Sequence, residues 1–272
     1  MFEWFKKKAK KGPPTAGGVA MRLQVLKCVA AYSYVTPPRE AVETLKSKCS
    51  ASEAPAFEKK LAEMRNEFWN KARAAGLWEV MSAKECTFAE TTCLTMTDRQ
   101  RMNASWRIES VQILLWALNL IPEIPPYDQD CKPEILKKVP TGSVSAFAAG
   151  ARLREADVLQ KARDLAEFWH WRSRTRELIE DNTELKATPE MSAAGMNSFD
   201  DIVRISAKSA FEKRNLPQLI NGDFPALGKA YRDLTSDEWS MVQSITLERH
   251  FALNWLCGYA PNNEWDETPT DT

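Results

Sequence analysis

The chain has 272 residues, 37 Lys plus Arg against 37 Asp plus Glu, 44% hydrophobic residues, ten Trp, eleven Phe and two His. That apolar content is ample for a folded core, and the balanced charge removes any general argument for a nucleic-acid partner. Six Cys without a C-x-x-C pair, together with two His, leave too few closely spaced ligands for structural zinc, so neither a metal nor a cofactor is expected and the thiols read as reduced and cytoplasmic.

Residues 1–18, MFEWFKKKAKKGPPTAGG, read as a basic and aromatic leader with five Lys against one Glu. Its aromatics precede its lysines, the reverse of a secretory signal, and no apolar run of membrane-spanning length follows. Phe2, Trp4 and Phe5 beside Lys6, Lys7 and Lys8 are the candidate contact with an anionic membrane surface, weighed against a plain solvated leader. Beyond the leader the chain carries 32 basic and 36 acidic residues, a mildly acidic body.

Apolar spacing then predicts helix almost throughout and no alternating strand. A first helix runs over 19–35 and stops at Thr36-Pro37-Pro38, and a short one follows from Pro38 to about Cys49. Phe57, Leu61, Met64, Phe68 and Ala72 mark one face of an amphipathic helix over 54–75 that ends at Gly76. A short helix is expected near 83–90. Thr97 and Gln100 have the form of a capping box opening a helix to about Leu120, whose second half, VQILLWALNLI, is apolar all round and belongs in the core. The proline-rich stretch 122–133 is the candidate internal boundary of what otherwise reads as one α-helical domain over 19–272. A long helix follows over 152–181, another over 199–214 with Ser198 as its cap, then a loop-rich stretch and a last helix opened by a Thr235/Glu238 box and closed before Gly258.

The charges that stand out lie on these helices. Val242, Ile245, Arg249, Ala252, Leu253 and Leu256 share a stripe, and so do Met102, Trp106, Glu109, Ile113, Trp116 and Leu120. An Arg and a Glu inside apolar stripes require partners, and the expectation is a buried Glu109–Arg249 pair. The catalytic alternative is a hydrolase-like site for a phosphorylated or nucleotide substrate that gathers Glu109, Arg249, His250 and Asp266. His250 and Asn254, one turn apart, are a candidate pair for a polar group. Arg172, Arg174 and Arg176 within WHWRSRTR are candidate anion or partner contacts, weighed against a solvated face. The acidic tail NNEWDETPTDT reads as a clasp anchored by Trp265, with Asp266 and Asp271 available to arginines.

WRIESVQILLWALNLI at 106–121, the Leu-rich helix from Arg152, and ERHFALNWLCGY followed by EWDETPTDT at the end make the chain resemble a bacterial family known as domain of unknown function 4272. The resemblance is carried by residues 90–272, most specifically by the closing W-D-x-x-P-T-D-T. It implies a helical fold and a bacterial source, and it implies no reaction, cofactor or catalytic residue. The expected function is binding of another protein, in the form of an immunity protein that occludes a toxin. A hydrolase and a membrane-surface adaptor are the alternatives.

Overall fold

A computed structural model gives the conformation of residues 12–271, so the readings placed on Phe2, Trp4, Phe5, Lys6, Lys7 and Lys8 lie outside the described residues. The α-helices are α1 (Ala16–Val35), α2 (Arg39–Lys46), α3 (Ala54–Ala74), α4 (Ala83–Ala89), α5 (Asp98–Ala117), α6 (Val144–Gly150), α7 (Ala156–Glu180), α8 (Pro189–Ala193), α9 (Phe199–Glu212) and α10 (Ser236–Leu256). The described residues are helical apart from loops and one hairpin of two-residue strands, β1 (Pro225–Ala226) and β2 (Lys229–Ala230). Contacts group the chain into two units. One holds the chain up to Ile124, Cys131–Leu159 and Phe251–Pro269, and the other holds Pro125–Asp130, Gln160–His250 and the end from Thr270.

In the first unit α1 is the central element. It begins at Ala16 because Thr15 Oγ1 accepts from the Gly18 amide and caps it, ahead of the start that apolar spacing predicts. Val19, Leu23, Leu26 and Ala30 are fully buried, and α1 packs on α5 and α6. Gly17 permits the second contact, since a Cβ there would lie 3.2 Å from the Ala148 carbonyl oxygen. Near its C-terminus Tyr32 collects Phe68, Trp69 and Phe88 at ring distances of 5.1, 5.3 and 5.7 Å. Such a cluster contributes both apolar burial and edge-to-face attraction.

Helix α5 is buried from Ile108 to Ala117 on every side, as its apolar second half predicts. Its stripe fails at the ends, because Met102 and Leu120 are exposed and the helix stops at Ala117, with Asn119 at φ 61°. The long helix expected from Arg152 begins at Ala156 instead. Arg154 lies outside the helix, its amide bonded to the Ala117 carbonyl and its guanidinium donating to the carbonyls of Trp116, Ile121 and Pro122. A side chain that satisfies the open end of α5 cannot also start α7.

The second unit is built on α7 and α10 up to His250, with α9 and the hairpin. Phe224 and Tyr231 pack on Trp169 at 5.2 and 6.4 Å, and Tyr127 stacks on the same indole at 5.5 Å. The hairpin lies in the stretch read as loop, where positive φ at Leu227 and Gly228 gives the mirror-image turn that two-residue hairpins require.

Helix α10 closes in a Schellman arrangement, with the Gly258 amide on the Trp255 carbonyl and the Tyr259 amide on the Asn254 carbonyl. Gly258 has φ +76°, and a Cβ there would lie 3.0 Å from Pro13 N. Both facts oppose any larger residue. Gly258→Ala is therefore expected to lower unfolding free energy by about 1–3 kcal/mol, read as a reduced urea midpoint; a midpoint equal to that of the parent protein refutes it.

Candidate functional site

Arg249 is fully buried, as its stripe predicts. Its Nη1 donates to the carbonyls of Pro125 and Pro126 at 2.7 and 3.0 Å, its Nη2 donates to that of Gln129 at 2.8 Å, and the guanidinium lies 5.2 Å from the Tyr127 ring centre. Prolines offer carbonyls but no N–H, so a proline-rich turn suits a cation that needs only acceptors. Glu109, in the first unit, is likewise fully buried and accepts from the Cys131 amide at 2.6 Å. The two residues expected to pair belong to different units, and each holds a stretch of backbone in its own.

The arginine triplet divides. Arg172 is buried and grips Asp223 with two bonds of 2.8 and 2.7 Å, which removes it from the expected surface contacts. Burial pushes the Asp223 carboxyl up, but Arg172 and the amides of Phe224 and Arg232 outweigh it and hold the group below its ordinary value. Arg176 lies over Trp239 at 5.0 Å and pairs with Glu180 at 2.8 Å. Arg174 remains exposed beside Glu177.

The tail docks through Trp265, which is buried against Phe251 and Trp255 at 4.8 and 5.2 Å, with Arg22 over its ring at 5.2 Å. Asp266 takes a different partner from the arginine expected of it. Ser82 Oγ and the Lys84 amide donate to it at 2.9 and 3.1 Å, so the carboxylate caps α4, where negative charge is favoured. Ser82 and Glu85 also form a capping box on that helix. The S-x-x-E spacing was the available signal for it. Asn254 donates to the Pro269 carbonyl at 2.7 Å.

His250 instead meets His170, Nδ1 to Nδ1 at 3.0 Å, with both rings buried. One nitrogen must carry the proton and the other accept it, so the contact needs at least the accepting ring to be neutral and unprotonated at Nδ1. No spacing rule links positions 170 and 250; only the fold brings the two histidines together. His170 opens on a polar cavity of about 350 Å³ lined also by Arg174, Glu177, Gln243, Leu247, Thr270 and Asp271. A second, more apolar cavity of about 430 Å³ lies in the first unit, walled by α4, α5 and the tail. No cluster of three or more His, Cys, Asp or Glu fit to hold a metal occurs among the described residues, and no helix among them is long and apolar enough to cross a membrane.

The family model described as domain of unknown function (DUF4272) matches residues 13–192. It takes in residues 13–90, which carried no motif of the resemblance, and stops short of the closing segment that did. No curated protein and no solved structure matches the chain.

Two outcomes follow from the buried ions. Burial, and secondarily Arg174, lowers the His170 pKa from 6.5 to about 4. Folding then demands the neutral ring, and stability is lost as pH falls from 6.5 towards 4, by up to about 3 kcal/mol. Urea midpoints at pH 7 and pH 4.5 should diverge for the parent chain and diverge less for His170→Gln. Arg249→Lys keeps the charge but cannot span three carbonyls; a loss of about 2–4 kcal/mol is expected in chemical denaturation, and equal stability would show that the turn does not depend on the guanidinium.

Proposed function

The chain belongs to the family described as domain of unknown function (DUF4272), and from that premise we propose that it is a non-catalytic protein-binding module: a bacterial immunity protein that neutralises a cognate toxin by direct contact in the cytoplasm. The observation that carries this reading is the engagement of the candidate catalytic groups. Glu109 holds the Cys131 amide, Arg249 holds three carbonyls, Asp266 caps α4, and His250 is tied to His170. A hydrolase needs such groups to converge on open space where a substrate fits.

The surface offers a complementary feature. Along the end of α7, α8 and the start of α9, the acids Glu180, Asp181, Glu184, Glu190, Asp200 and Asp201 are accompanied by Lys186 alone among Lys and Arg, and nearly all of the stretch is exposed. A field of one sign speeds encounter with a basic partner and disfavours acidic ones. All six cysteines are free thiols, in keeping with a reducing compartment.

The test is affinity capture from the native host, followed by expression of the captured protein with and without this chain. The captured protein should arrest growth alone and be neutralised by co-expression, and Glu109→Gln should leave protection intact. Reversal of Asp181, Glu184 and Glu190 to Lys should weaken capture at least tenfold. Capture of nothing, together with a turnover abolished by Glu109→Gln, would overturn the reading.

A further inference from the structure

The polar cavity of about 350 Å³ is lined wholly by residues of the second unit, and its volume is that of a small-molecule site. His170, Arg174 and Glu177 reach it from one face of α7 at one-turn spacing, Gln243 and Leu247 from α10 at the same spacing, and Asp271 from the end of the chain. His170 is only 3% exposed. Its Nδ1 is committed to His250, whereas its Nε2 has no hydrogen-bond partner among the described residues and keeps surface that water can reach. A ring nitrogen so nearly buried, yet open to the chamber, is a fixed point for a hydrogen bond from a guest. The tautomer decides whether that nitrogen donates or accepts; a hydroxyl on the guest suits both, since it can do either.

The charges of the wall select the rest of the guest. Burial, and secondarily Arg174, keeps the imidazole uncharged at neutral pH. Arg174 pairs with Glu177, which also accepts from Gln243 Nε2 at 3.4 Å. Asp271 is exposed and has no ion pair among the described residues. With the first two charges set against each other, Asp271 leaves the chamber with one uncompensated negative charge, which favours a cation over an anion.

We propose that this cavity is a binding site for a small hydroxylated amine, with its ammonium against Asp271, its hydroxyl on His170 Nε2 and its carbon chain along Leu247. The site is independent of the proposed protein-binding role, and none of its residues is among the acids of the proposed partner surface.

Because the chain has two histidines, ¹⁵N-labelled imidazoles give a readout at the proposed contact itself. Full-length protein in phosphate buffer at neutral pH is titrated with ethanolamine hydrochloride, and the His170 ring signals, assigned by their loss in His170→Gln, are followed by NMR. A saturable shift is expected. Ethylamine, which lacks the hydroxyl, and ethylene glycol, which lacks the charge, should bind at least tenfold more weakly. Asp271→Asn, at an exposed position near the chain end where folding is not at stake, should weaken ethanolamine at least tenfold. Leu247→Trp, at a partly exposed position on the wall, should narrow the chamber and weaken it likewise. Absence of a saturable shift, equal binding of ethylamine or ethylene glycol, or unchanged affinity in either variant would overturn the proposal and leave the chamber a solvent-filled cleft.

Discussion

A guanidinium carried into an apolar helix face is tolerated there only if its N–H groups find oxygen, and Arg249 on α10 is placed in that situation by the stripe it shares with Val242, Ile245, Ala252, Leu253 and Leu256, all of them buried. The carbonyls of Pro125, Pro126 and Gln129 answer it. The consequence reaches well past one side chain. The turn over 125–130 has little apolar content of its own, yet its acceptors converge on one cation and its Tyr127 stacks on Trp169 of α7. Burial without bonded acceptors would be ruinous for a cation. A turn rich in proline carbonyls removes that penalty and becomes rigid in doing so.

The same principle recurs wherever a loop meets a helix. Glu109 receives the Cys131 amide, Asp223 receives those of Phe224 and Arg232 as well as Arg172, Arg154 closes the C-terminal end of α5, and Asp266 closes the N-terminal end of α4. A helical chain with long connections cannot fix those connections by ladder hydrogen bonds, as a sheet would. Buried charges bonded to backbone groups serve instead. In each case a charged side chain holds a stretch of backbone that no ladder would hold.

The parts of the fold that were legible are those governed by local rules. The boxes at Thr97/Gln100 and Thr235/Glu238, the cap at Ser198 and the stop at Gly76 each depend on residues within one helical turn, and each forms. The burial of Glu109 and Arg249 was legible for the same reason, since helical period alone puts them on the apolar face. What could not be read depended on partners distant in the chain. Arg154 delays α7 because it is bonded to the end of α5; α6 lies beneath α1 through the approach that Gly17 allows; and the pairing of His170 with His250 bridges 80 positions. Asp266 is the plainest case, because its charge suggested an arginine while its partner is the start of a helix more than 180 residues earlier.

That last contact changes how the closing segment relates to the rest of the family match. Helix α4 has seven residues, too few to persist by backbone bonding alone, since a helix that short does not recover the unfavourable free energy of its first turn. It is held by the Ser82/Glu85 box, by Arg22 from α1 on Glu85, and by Asp266 on Ser82 and Lys84. The first two lie within the matched residues 13–192 and the third lies outside them. Trp265 delivers that carboxylate by wedging between Phe251 and Trp255 with Arg22 on its face, so Arg22 touches both the box and the anchor. A segment beyond the matched region thus completes a helix inside it, and any account of what α4 and its neighbouring cavity do must include the tail.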